Sequence, residues 1–208
     1  MKKFNTKIVI KQIDKTAPIR AYRQVASIHK AEIKEGFLST LGVSFLSLLY
    51  QSLSTSPHSF LILAEDEGKI IGFICGGVDT NKVIKRFIIR HGIFVIPKII
   101  SSFFSLKKIT RILETILYPA HKVNCDLPRP EILNFCVSNE FQRKGVGEIL
   151  FHELVDKFRQ LDIDQIKIVT GENQKKAQKF YESLSAKKVA EIEVHKGIKS
   201  TIYTYSIA

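Results

Sequence analysis

The chain has 208 residues, 45% of them hydrophobic and 25% charged, with a formal net charge of +12 at pH 7. That length and apolar share are those of one globular domain with a sizeable core, not of a disordered chain. Cys75, Cys125 and Cys136 are odd in number and widely spaced, which leaves no disulfide framework and no metal-ligating pair.

No apolar stretch is long and uninterrupted enough to span a bilayer, and no apolar h-region follows Met1-Lys2-Lys3. A cytoplasmic location is the expectation. The basic balance attracts anions such as nucleic acid or acidic lipid. No helix-turn-helix, zinc-finger or RNP pattern accompanies it, so nucleic acid is not an expected partner.

In chain order, residues 4–13 read as a strand through Ile8, Val9 and Ile10. Ala17 to Ile33 reads as an amphipathic helix entered after Thr16, with Pro18 in its first turn. Gly36 to Gly42 reads as a break and Val43 to Leu53 as a second helix. After a turn at Ser54 to Pro57, Phe60–Ala64 and Lys69–Val78 read as a hairpin across Glu65-Asp66-Glu67-Gly68. Residues 80–122 show helical patterning over Val83–Ile89, Ile93–Phe104 and Leu106–Leu117, with nine Lys/Arg against one Glu. The segment reads either as a cap with a solvated basic face, or as a lid or docking surface for an anionic or lipidic partner. Asn124 to Pro130 is a linker, and Ile132–Val137 and Gln165–Thr170 are strands around the helical run Glu148–Val155. Asn173 to Leu184 carries Ala177, Phe180 and Tyr181, and Lys187–Glu193 with Ile198–Ser206 reads as a closing hairpin.

The turn Gln142-Arg143-Lys144-Gly145-Val146-Gly147 lies between a strand and a helix start. The first amides of a helix have no intrahelical partner, and the macrodipole puts partial positive charge there. Gly145 and Gly147 let an anion approach the main chain, and Arg143 and Lys144 add full charges. On these six residues alone, the turn is either a pyrophosphate site or an ordinary strand–helix connection. It is neither a Walker loop nor the three-glycine dinucleotide fingerprint.

The order strand, Gln-x-x-Gly-x-Gly turn, helix, strand, Asn, Phe-Tyr helix over Glu131 to Leu184 resembles the GNAT superfamily of N-acetyltransferases. The resemblance implies an α/β (α+β) fold, a mixed central sheet flanked by helices. Here it would form one domain over residues 1–208, with residues 80–122 a helical insert between the third and fourth strands. It implies direct transfer of acetyl from the cosubstrate acetyl-CoA, with no metal, to a primary amine of a small-molecule or protein acceptor. A homodimer, and a peripheral membrane or anionic-acceptor contact through the insert, are open to such a protein. Residue by residue, the resemblance puts the pyrophosphate on Gln142, Arg143, Lys144, Gly145, Val146 and Gly147, and a further cofactor contact on Asn173. It puts free strand amides for the thioester near Phe135, Cys136 and Val137, and the general acid on Tyr181. Glu131 lies fourteen residues before Gly145, the spacing at which histone-acetylating members carry their glutamate base.

Two departures stand out. Asn173 and Tyr181 are eight apart where the family commonly has seven, and the usual Leu-Gly-Phe after the tyrosine reads Leu184-Ser185-Ala186. The residues also have plainer readings: Glu131 as a surface charge, Tyr181 as packing, Cys136 as a buried strand cysteine. Glu32, Glu35 and His29 are rival bases from the helical segment. A non-catalytic acyl-CoA-binding regulatory domain and a basic membrane- or nucleic-acid-associated protein are the other function classes.

Overall fold

The computed structural model describes residues 8–34, 37–101, 127–195 and 198–207. The expectations on residues 4–7, Glu35, Gly36, 102–126 (with Cys125) and Lys196-Gly197 lie outside the described residues. The strands are β1 Val9–Ile13, β2 Ser59–Asp66, β3 Lys69–Gly77, β4 Glu131–Val137, β5 Gln165–Gly171, β6 Lys187–His195 and β7 Ile198–Ser206. They form one mixed sheet in the order β1-β2-β3-β4-β5-β7-β6. Every neighbouring pair is antiparallel except β4 and β5. The helices are α1 Ile19–Glu32, α2 Phe37–Thr40, α3 Gly42–Ser54, α4 Thr80–Ser101, α5 Val146–Arg159 and α6 Lys175–Ser183.

Strands β2 and β3 feed a core on each face. Ile62, Ala64, Ile71 and Ile74 point into a cluster with Leu150, Phe151, Leu154 and Phe158 of α5 and Tyr181 of α6. Leu61, Leu63, Ile70, Phe73 and Cys75 point to the opposite cluster with Tyr22 and Val25 of α1 and Leu46 and Tyr50 of α3. Strands buried on both faces read as continuous apolar runs, as Phe60–Ala64 and Ile70–Cys75 do. The α5 helix lies close on β3: a Cβ added at Gly76 would come 2.7 Å from Leu154 Cδ1 and 2.9 Å from Phe158 Cζ.

Three local outcomes differ from the sequence reading. The β2–β3 hairpin closes on two residues, Glu67 and Gly68, both at positive φ, so the strands run further into the expected loop. That mirror-image turn matches the twist of paired strands. The expected break at Gly36–Gly42 contains the short helix α2, and Gly42 opens α3 at φ +83°. The pieces expected at Val83–Ile89 and from Ile93 are one continuous 22-residue helix, α4. Val83 and Phe87 anchor it, Phe87 edge-on to Phe45 of α3 with ring centres 5.7 Å apart.

Buried polar groups join α1 to α3. The Ser54 hydroxyl donates to Tyr22 Oη at 3.0 Å, and Tyr22 donates to the Asp14 carbonyl at 2.6 Å. His29 Nδ1 and the Tyr50 hydroxyl share a hydrogen bond, while His29 Nε2 is buried without a partner. Burial pushes the His29 pKa down to about 4. The unfolded imidazole, near 6.5, therefore takes up a proton that the folded one refuses between those values, so stability falls as pH drops through that window. A shift of this size corresponds to about 3 kcal/mol by pH 4. Chemical denaturation of the wild type and of His29→Leu at pH 7 and pH 4 checks it. The variant should show the flatter pH dependence whatever its absolute stability, and equal slopes would contradict the assignment to His29.

Candidate active site

The site is built where β4 and β5 stop pairing. The two parallel strands meet only at Glu131↔Lys167 and Ile132↔Ile168. On its other edge β4 stays paired with β3 up to Val137, with a bulge at Leu133, which intervenes between Asn134↔Cys75 and Ile132↔Gly76. Ser138 N–H donates to the Ile71 carbonyl at 2.8 Å, so the two-residue alternation of a strand turns Cys136 and Asn134 toward β3. Phe135 and Val137 accordingly direct their backbone groups to the open side. The Val137 carbonyl on that side accepts from Gln142 Nε2 at 2.9 Å.

The sequence-predicted turn follows at once. A 3₁₀ turn over Asn139–Phe141 leads into it. Arg143 at φ +58° and Gly145 at φ +83° bend the main chain through the left-handed region twice. A Cβ at Gly145 would meet nothing within 4 Å, so the space above it is open, but the conformation itself favours glycine. No side chain caps α5, and its hydrogen-bond ladder begins with Ile149 N–H to the Gly145 carbonyl at 3.1 Å. The amides of Val146, Gly147 and Glu148 are thus the unpaired donors of this helix end. Arg143 and Lys144 are exposed beside them, Lys144 Nζ lying 5.1 Å from the centre of the Phe141 ring.

Beneath the gap sits an aromatic cluster. Phe135 of β4 packs on Phe180 and Tyr181 of α6 with ring centres 5.5 and 6.4 Å apart. Phe151 of α5 touches the same two rings and, edge-on at 5.0 Å, Tyr205 of β7. Tyr181 is buried, and burial first and neighbouring Cys136 second hold its hydroxyl well above the usual tyrosine range. Cys136 is buried too, and desolvation, then Glu32, raise its thiol, so it stays protonated.

The other predicted residues fall at the margins of this cleft. Glu131 begins β4, on the face toward α1 and α3. Its carboxylate accepts from the Thr80 hydroxyl and pairs with Lys167 Nζ at 3.0 Å. Asn173 is exposed in the turn between β5 and α6. In the same turn Gln174, seven before Tyr181, accepts from Gly171 N–H through its Oε1 at 3.2 Å, and Gln178 Nε2 donates to the Gly171 carbonyl at 3.1 Å. The common family spacing of seven before Tyr181 falls on position 174, which is Gln in this chain.

One link was not legible as such in the sequence. Glu32, the last residue of α1, accepts from Asn139 N–H at 3.0 Å and from Gln142 Nε2 at 3.2 Å. A single carboxylate therefore fixes the entry to the glycine turn, and Gln142 bridges it to the end of β4. The Gln-x-x-Gly-x-Gly pattern picks out Gln142; nothing local picks out a partner more than a hundred residues upstream.

The chain belongs to the acetyltransferase (GNAT) family, whose model matches residues 28–185. Solved structures of similar fold include a GNAT-family acetyltransferase from Streptococcus pneumoniae (12% identity, TM-score 0.58, covering 97% of this chain and 100% of that one). Ard1 from Thermoplasma volcanium is similar at 14% identity and TM-score 0.59, covering 97% and 98%. The ribosomal-protein-S18-alanine N-acetyltransferase from Escherichia coli is similar at 13% and 0.57, covering 97% and 95%. Among curated proteins no sequence matches. The family carries out acyl-CoA-dependent acetyl transfer, generally with acetyl-CoA as cosubstrate.

The Glu32 link generates a measurable expectation. Glu32→Ala removes two bonds to a charged acceptor and, on the expectation that the turn holds the pyrophosphate of acetyl-CoA, should weaken acetyl-CoA binding about 10-fold through a loosened turn. Titration calorimetry of the folded variant checks this; an unchanged affinity would mean that the carboxylate merely ends α1.

Proposed function

We propose that the chain transfers the acetyl group of acetyl-CoA to a primary amine of a protein or small molecule. The observation that carries the reading is the open edge of β4, with Phe135 and Val137 facing a gap that ends beside Tyr181. An extended chain of amides such as pantetheine can take the place of the missing strand on that edge. The pyrophosphate then falls on the amides of Val146, Gly147 and Glu148, flanked by Arg143 and Lys144 and reached through Gln142 and Gly145. Asn173 stands near the nucleotide end as a further contact.

In this reading the Phe135 N–H polarises the thioester carbonyl, with Cys136 and Val137 forming the rest of the wall. The amine nitrogen attacks the carbonyl carbon, a C–N bond forms, and the C–S bond breaks. Glu131, a carboxylate in its ion pair with Lys167, takes the amine's proton through water. Tyr181, kept protonated by burial, gives its proton to the departing thiolate. The protonated, buried Cys136 favours direct transfer over an acetyl-cysteine intermediate.

Two variants test the two halves. Gly147→Glu places a carboxylate at the helix end, on a backbone whose Cβ position lies 3.5 Å from Phe135 Cζ. It should abolish acetyl-CoA binding, and calorimetry showing intact affinity would remove the pyrophosphate from this turn. Tyr181→Phe should lower kcat about 100-fold while leaving acetyl-CoA affinity nearly unchanged. CoA release measured over a panel of amines reads this out; wild-type turnover would reduce the ring to packing. Binding without turnover on any amine would make the chain a non-catalytic acyl-CoA-binding domain.

A further inference from the structure

The positive charge of this protein is concentrated in one stretch of its sequence. Residues 80–122 hold nine Lys/Arg and one Glu, whereas the other 165 residues hold 23 Lys/Arg against 19 Asp/Glu. The described part of this segment is α4, which rests on α3 through Val83 and Phe87 along its first turns. The opposite side carries Lys82, Lys85, Arg86 and Arg90, all exposed, around Ile89, which is 76% exposed. Spacings of three and four residues put these five on one helical stripe. The acidic neighbour on the stripe is Asp79, 3.8 Å from Lys82. A merely solvated face has no reason to set four cations against a single acid and centre an isoleucine.

We propose that this face of α4 docks the protein on an anionic lipid bilayer. Basic side chains would meet headgroup phosphates while Ile89 enters the boundary of the acyl region, the two-part match that interfacial helices make. Nucleic acid offers the phosphates but no apolar layer for the isoleucine. Among the described residues no helix is long and apolar enough to cross a membrane, so the contact lies along the surface.

The inference is independent of the acetyl-transfer reading, and so is its test. The full chain is centrifuged with phosphatidylcholine vesicles prepared with and without phosphatidylglycerol. The wild type should sediment with the anionic vesicles and not with the neutral ones. The triple variant Lys85→Ser, Arg86→Ser, Arg90→Ser should partition about 100-fold more weakly, roughly fivefold for each lost charge. Ile89→Ser should lose about 10-fold on the same vesicles. These are exposed positions, and thermal melting confirms that each variant is folded. Absence of wild-type binding, or equal partitioning of the triple variant, overturns the proposal. So does displacement from the vesicles by a single-stranded RNA that the chain binds more tightly.

Discussion

The cleft depends on two parallel strands that part after two residue pairs. A sheet normally satisfies its backbone groups along the whole edge, and leaving an edge open in the middle of a seven-stranded sheet needs something to hold the strands apart. Here it is a wedge of rings: Phe135 from β4, Phe151 from α5, Phe180 and Tyr181 from α6, and Tyr205 from β7. Aromatic pairs in edge-to-face contact resist collapse because each ring's position is set by several others. The bulge at Leu133 falls between the last β4–β5 pair and the open edge, where an extra residue bends a strand. The unpaired amides that remain are the feature a thioester or a peptide-like ligand can use.

That parting also explains why α1 matters to a turn far from it in sequence. A glycine turn with two left-handed residues has few internal restraints. Glu32 supplies them from outside, through Asn139 N–H and Gln142, and Gln142 passes the restraint to the Val137 carbonyl. The end of β4, the turn and α1, which lines the opposite core, are thereby joined by hydrogen bonds. The burial of His29 and Tyr50 one turn earlier keeps that end of α1 seated, at the cost of one unpaired ring nitrogen.

Much of this was legible in the residues. The strand–turn–helix at Glu131 to Val155 and the Phe-Tyr helix are local patterns, and local patterns survive folding. Ser185, where the family commonly has glycine after the leucine, adopts φ +69° just past the end of α6 at Ser183. What the pattern missed was non-local or conformational. The side-chain bond of Gln174 to Gly171 in the β5–α6 turn is one such feature. The break expected at Gly36–Gly42 was partly helical because Leu38 packs on the α3 and α4 cluster, which no single window reveals. Glu32 as a strut, and Lys167 as the partner of Glu131, are products of topology alone.

Two carboxylates bracket β4, and their partners give them different work. Glu32 stands at the open end and takes neutral donors, so it serves as a fixed acceptor that holds a loop. Glu131 stands at the paired end and takes a cation from β5 and a hydroxyl from Thr80, the first residue of α4. A group with one oxygen on an ammonium and the other on a hydroxyl can accept a new proton only as one of those bonds yields. The Thr80 bond is the weaker of the two in kind, since a neutral hydroxyl binds a carboxylate less strongly than an ammonium does. It is also the one attached to the helix whose far face is basic and exposed. Thr80 therefore ties the proposed base to the helix that also carries the proposed docking face, so a displacement of the first turn of α4 changes the hydrogen bonding of Glu131.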